Sequence, residues 1–189
     1  EIKNLHGEDI QADRHYVRMV NDKAFERVTG YFKDGNIIYG GRTDAATRFI
    51  EPTLIENVPL DSPLMTEEIF GPVFPIVTFE DNFKERVIEF VTSREKPLAF
   101  YYFGKESDGW EIIRRTSSGG GCINDVIMHI ANENVPFGGV GNAGMGRYHD
   151  KDSFDAFSHT RSIIATGTWI DLPFRYMPYK MFGLVKKIL

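Results

Sequence analysis

The sequence contains a single cysteine, Cys122, among 189 residues, so an internal disulfide framework is excluded and a reducing, cytoplasmic setting is the expectation. It has no apolar run near the roughly 20 residues that a membrane-spanning helix needs. Its first residues, Glu1-Ile2-Lys3-Asn4-Leu5-His6, do not have the pattern of a signal peptide. There is no clustered basic face, and the net charge is −5, which argues against nucleic acid as the main partner. Internal repeats and low-complexity stretches are missing. The five histidines, His6, His15, His129, His149 and His159, are scattered without metal-ligand spacing, so no metal site is expected.

What is present is an ordinary globular composition, 42% hydrophobic and 26% charged, in a chain long enough to bury a sizeable core. Helical and extended patterns alternate, which favours an α/β fold with an open, mostly parallel sheet flanked by helices. From Ala12 to Val28 the residues Tyr16, Val17, Val20, Ala24, Phe25 and Val28 recur at helical spacing, with Gly30 near the expected end. Ile37-Ile38-Tyr39 reads as a short strand, and Phe49 to Ile55 as an extended piece weakened by Pro52. Val73 to Phe79 reads as a buried strand, Phe83 to Val91 as a helix, Leu98 to Phe103 as extended and Gly109 to Arg115 as helical. Strand, helix, strand, helix is the order of parallel crossover units. Thr160 to Thr168 is the last strand candidate.

Two motifs carry chemistry. Glu67-Glu68-Ile69-Phe70-Gly71-Pro72 lies upstream of Pro136-Phe137-Gly138-Gly139-Val140-Gly141-Asn142-Ala143-Gly144-Met145-Gly146. Together they resemble the aldehyde dehydrogenase superfamily. Asp44 to Ile50, Arg94 to Ala99 and Phe154 to His159 are similar to its class 3 branch, which oxidises fatty and aromatic aldehydes. The resemblance covers almost the whole chain. It implies an NAD- or NADP-dependent enzyme whose nucleophilic cysteine and general-base glutamate lie in segments that would precede Glu1, so no catalytic residue is expected within this chain. It also implies a partial catalytic domain over 1–159, with an oligomerisation strand and a basic amphipathic, helical tail over 160–189.

The resemblance assigns Glu68 to the two hydroxyls of the nicotinamide ribose and Phe70 to packing on the nicotinamide. A carboxylate there supplies two charge-assisted hydrogen bonds. Taken alone, the hexapeptide reads equally well as a solvated acidic pair before a strand, with Phe70 in the core; the downstream motif in register favours the cofactor reading. Phe137 is similar to the aromatic residue lining the aldehyde pocket, and Tyr148 and His149 to residues at the substrate entrance. Asn124 either shapes that pocket or holds a loop. Asp150 stands where class 3 relatives commonly have glycine.

Gly139 to Gly144 formally fits the dinucleotide fingerprint G-x-G-x-x-G, but Asn132 to Pro136 before it is loop composition rather than a strand. A pyrophosphate site here is therefore not expected. Cys122 follows the Glu68 motif, whereas the family nucleophile precedes it, so it is expected to be a small buried packing residue. His159 is expected to be a structural histidine with its bonds satisfied.

From Leu172 to Leu189 basic and apolar residues interleave with no acidic one. Such a tail suits an anionic membrane surface, as peripheral contact, or a neighbouring subunit. The resemblance implies a homodimer in which Thr160 to Thr168 extends the partner's sheet. Two alternatives stay open: a naturally truncated, non-catalytic assembly module, and an acylating semialdehyde or glutamyl-phosphate reductase.

Overall fold

The computed structural model describes residues 1–169, 171, 175–178 and 182–187. They form two compact units, Glu1–Val87 and Ile88–Leu189. The first begins with α1 (Ile2–His6) and a 3-10 turn at Ile10–Ala12, followed by α2 (Asp22–Gly30) and a second 3-10 turn at Tyr31–Asp34. Then come β1 (Asn36–Tyr39), β2 (Thr43–Asp44), β3 (Phe49–Ile50), β4 (Thr53–Glu56), α3 (Pro63–Thr66) and β5 (Val73–Ile76). The division between the units falls inside α4 (Phe83–Thr92). The second unit continues with β6 (Ala99–Tyr102), α5 (Glu106–Arg115), β7 (Gly120–Ile123), α6 (Met128–Ala131), a 3-10 turn at Gly141–Ala143, α7 (Asp150–Ala156) and α8 (Phe182–Val185).

The α/β class is as expected, but the strands are shared among three small sheets. One has the order β1-β4-β5, with β1 antiparallel and β5 parallel to β4. β2 and β3 form an antiparallel ribbon, and β6 and β7 a parallel pair. Both parallel pairs are linked through a helix, α3 in one case and α5 in the other, as crossover geometry requires. The extended piece from Phe49 to Ile55 is split at Pro52 into β3 and β4, because proline has no N–H to give to a ladder.

The helix expected over residues 12–28 is shorter than its periodicity suggests. Asp13 accepts from the His15 amide at 2.8 Å, a local turn that competes with helix, and Asn21 accepts from Ala24 N at 2.8 Å as the N-cap of α2. Between them Met19 N donates to Arg48 O, and the Tyr16 hydroxyl donates to Ile50 O at 2.7 Å, so tertiary bonds replace helical ones. The buried face of α2, Phe25 and Val28, then packs with Tyr31, Ile50, Ile55, Val58, Leu64 and Val73 into the core of the first unit. Each fully buried aliphatic side chain there contributes about 1.5–3 kcal/mol.

Residues 160–168 carry no regular structure, with Ile163 and Ile164 largely exposed. A strand needs a neighbour for its backbone groups, and among the described residues none pairs with this segment. Part of the tail expectation falls on residues 170, 172–174, 179–181 and 188–189, outside the described residues; within it α8 is helical. No helix among the described residues is long and apolar enough to cross a membrane.

Candidate functional site

In the first unit the hexapeptide crosses from the end of α3 to the start of β5. Its backbone is gripped from α2. One guanidinium nitrogen of Arg27 donates to Glu68 O and the other to Ile69 O, both at 2.9 Å. The first nitrogen also bonds the Tyr31 hydroxyl, which in turn donates to Glu67 Oε2 at 2.8 Å. Tyr31 is only 3% exposed. Burial pushes its hydroxyl pKa up, the bond to Glu67 adds to this and Arg27 opposes it, so the hydroxyl keeps its proton and remains a donor to Glu67.

The two acidic residues are thereby distinguished. Glu67 is tied down, while the Glu68 carboxylate stands in solvent and has no bonded partner among the described residues. Phe70 is 81% exposed and has φ 44°, a left-handed conformation that costs a bulky residue on the order of 1–3 kcal/mol. It is not a core residue. Gly71 beside it is forced by close packing, since a Cβ there would lie 2.9 Å from both γ-methyls of the buried Val28. An apolar groove of about 340 Å³ opens along this edge, lined by Val17, Val20, Ala24, Phe70 and Pro72, with Arg27 at its polar margin.

In the second unit three of the expected pocket residues are brought together. Phe137 and Tyr148 exchange backbone bonds, N to O, at 3.0 and 2.9 Å. Their rings meet edge to face at 5.6 Å, and His149 lies 4.6 Å from Tyr148 and 6.3 Å from Phe137 by ring centroids. His149 is further held by a 2.9 Å contact between Nδ1 and Val135 O. His149 and Asp150 both have positive φ, at 96° and 41°. Asp150 thus adopts the glycine-like backbone that its position suggested, and this L residue bears the strain.

The cluster continues through a residue that sequence reasoning passed over. His129 packs 5.5 Å from Phe137 and 5.6 Å from Tyr101, its Nδ1 is 3.7 Å from Cys122 Sγ, and its Nε2 is buried without a hydrogen-bond partner among the described residues. Its place opposite Phe137 comes from α6, a four-residue helix that no local periodicity announces. Cys122 is half-buried in β7 rather than fully buried, with its side chain on the His129 face of the strand; a cavity of about 630 Å³ is lined by residues of α5 and β7, Cys122 among them. His159 is exposed and without a bonded partner among the described residues, so the structural role expected for it is not seen.

Asn124 is not part of the ring cluster. Its side-chain amide donates to Gly104 O at 2.9 Å and accepts from Gly104 N at 2.7 Å, clamping the loop after β6 to the end of β7. Its φ of 59° is one that asparagine tolerates better than most residues. Of the two sequence readings, loop holding is the one seen. Asn124→Ala is expected to lower the unfolding free energy by about 1–2 kcal/mol through loss of both bonds, measured by urea denaturation. Asn124→Gly should relieve backbone strain and lose less.

The glycine-rich loop is a turn and not a phosphate cradle. Gly141–Ala143 makes one 3-10 turn, with no strand before it and no helix of dinucleotide-fold type after it. Gly138 and Gly139 serve close approach of backbone to backbone, whereas Gly141 and Gly146 take left-handed conformations.

Comparisons with known proteins agree with this picture. The sequence profile described as "Aldehyde dehydrogenase family" matches residues 3–163. The 4,4'-diaponeurosporen-aldehyde dehydrogenase of Staphylococcus aureus is 43% identical over 95% of this chain and 39% of its own length. A dimeric NADP-preferring aldehyde dehydrogenase of Canis lupus familiaris is 46% identical over 94% of this chain and 39% of its own. The solved substrate-bound state of Staphylococcus aureus AldH superposes with a TM-score of 0.83 at 42% identity, covering 99% of this chain and 41% of that one. The chain thus spans about two fifths of the length of these relatives. On sequence and fold together, the chain belongs to the aldehyde dehydrogenase family, in its class 3 branch.

Proposed function

We propose that these residues are part of an NAD(P)-dependent enzyme that oxidises an aldehyde to a carboxylic acid. The observation that carries this is the pairing of Glu68, whose carboxylate has no bonded partner among the described residues, with an exposed and strained ring, Phe70, on a backbone immobilised by Arg27. A solvated acidic pair before a strand has no need of a strained aromatic in solvent or of a two-point clamp. The residues fit a nicotinamide nucleoside: Glu68 accepts from the ribose hydroxyls and Phe70 packs on the ring. When bound, the cofactor supplies the acceptor for the hydride leaving the aldehyde carbon.

Phe137, Tyr148 and His149 form an aromatic wall suited to an apolar aldehyde, and His129 packs behind Phe137. The nucleophile and general base belong to residues outside this sequence. Cys122 is not assigned that part, since it follows the Glu68 motif whereas the family nucleophile precedes it, and its half-buried thiol packs against His129. The exposed Ile163 and Ile164 support a homodimer built on the segment 160–168. The single cysteine supports a cytoplasmic setting.

The test is aldehyde-dependent reduction of NAD⁺ or NADP⁺, followed by nicotinamide absorbance. The full-length gene product is expected to turn over, and the 189-residue chain alone to be silent. Cys122→Ala should leave the full-length rate unchanged. Turnover by the short chain that Cys122→Ala abolishes would transfer the nucleophile to this residue and overturn the assignment.

A further inference from the structure

We propose that Arg27 is a positioning residue for the cofactor: its guanidinium occupies the carbonyls of Glu68 and Ile69 so that the Glu68 carboxylate is left free and correctly placed for the ribose. This rests on the reading of Glu68 as the ribose ligand and adds the device that presents it. A half-buried arginine beside two consecutive glutamates would ordinarily pair with one of the carboxylates. Here both outer nitrogens are spent on carbonyl oxygens at 2.9 Å, and one of them on Tyr31 as well. The Arg27 guanidinium also lies over the Tyr31 ring, with its Cζ 5.6 Å from the centroid.

Tyr31 completes the selection. Its hydroxyl donates to Glu67 Oε2, so the nearer competitor for any cation or hydroxyl is already bonded. Consequently one acidic side chain of the pair is held and the other released, although the two are chemically identical and adjacent. The fork also pins the peptide groups on either side of Ile69, and these set the direction in which Glu68 and Phe70 project. Arginine is required because two carbonyls in sequence call for a planar fork, which a single ammonium cannot match. Arg27 is anchored in turn by α2, whose Phe25 and Val28 are buried in the core and whose Asn21 cap fixes its start.

The experiment measures NAD⁺ and NADP⁺ binding to the full-length chain by calorimetry, without aldehyde, for Arg27→Lys, Glu68→Gln and the double variant. Arg27→Lys is expected to raise the cofactor Kd about 5- to 20-fold, the worth of one or two lost charge-assisted bonds. In the Glu68→Gln background the same substitution should change Kd by less than about twofold, since Arg27 acts through Glu68. Equal losses in both backgrounds, or no loss in the wild-type background while Glu68→Gln weakens binding, would overturn the proposal and leave the ribose assignment standing. If Glu68→Gln alone leaves Kd unchanged, the ribose assignment itself fails, and the inference with it. Melting temperatures are recorded throughout. Should Arg27→Lys be unfolded at the binding temperature, Arg27→Gln, which keeps an N–H donor, takes its place under the same criteria.

Discussion

Glu68→Gln in the full-length chain is expected to raise the Kd for NAD⁺ or NADP⁺ about 10- to 100-fold, because two hydrogen bonds to a charged acceptor become bonds to a neutral amide. The substitution preserves shape and length, so the loss reports charge. Glu68 is exposed and has no bonded partner among the described residues, so folding stability should move by no more than about 0.5 kcal/mol. Its neighbour behaves in the opposite way. Glu67→Gln weakens the bond from the buried Tyr31 hydroxyl and should lower stability by about 1 kcal/mol with little effect on cofactor affinity. Calorimetry and thermal melting on the two variants separate a ligand from a structural residue one position away. A result with the two roles exchanged would move the ribose contact to Glu67.

The contrast between these neighbours also shows what a sequence can and cannot disclose. Motif similarity pointed to Glu68 and Phe70, but nothing in the chain indicated that Glu67 would be taken by Tyr31, 36 residues away, or that Arg27 would reach across 41 residues to the carbonyl of Glu68. Bonds to main-chain oxygens leave no residue-type signature at the acceptor. The strands were legible where β-branched and aromatic residues run between turn signals, as in β5 and β6. The start of α2 was misplaced because the apolar spacing of Tyr16, Val17 and Val20 continues the helical period by coincidence. Those residues answer instead to tertiary partners, as the Tyr16 bond to Ile50 O shows, and Val17 and Val20 are left exposed.

Among the pocket residues, Phe137, Tyr148 and His149 were found together because they lie in one motif and the residues just after it. His129 was missed for the opposite reason: a lone histidine in a four-residue helix shows no period, and only the close packing of its ring on Phe137 reveals it. Backbone strain was legible at one point, Asp150, where a glycine-like position holds another residue. The left-handed conformations of Phe70, Asn124 and His149 were not, since each is imposed by neighbours distant in sequence or by the turn it closes.

Gly139→Ala is expected to disrupt the second unit most severely among single-methyl changes in the glycine-rich loop. A Cβ at residue 139 would stand 2.2 Å from Ala143 O and 2.5 Å from Gly144 N, both backbone atoms that no rotamer change can move aside. Relief therefore requires the loop to open, at a cost of about 1–3 kcal/mol or more in unfolding free energy. The Phe137–Tyr148 bridge spans the two ends of this loop, so opening it loosens the aromatic wall as well. Amide hydrogen exchange at Phe137 and Tyr148 should accelerate together with the loss of stability. Gly146→Ala supplies the comparison: its φ of 76° imposes left-handed strain of about 1–2 kcal/mol on an alanine, but a Cβ there meets nothing within 4 Å. It should destabilise without opening the bridge. If both variants speed exchange at Phe137 and Tyr148 equally, the left-handed turns govern the loop and the backbone contact at Gly139 does not; if only Gly139→Ala does so, the wall of the pocket depends on a place where no side chain can fit.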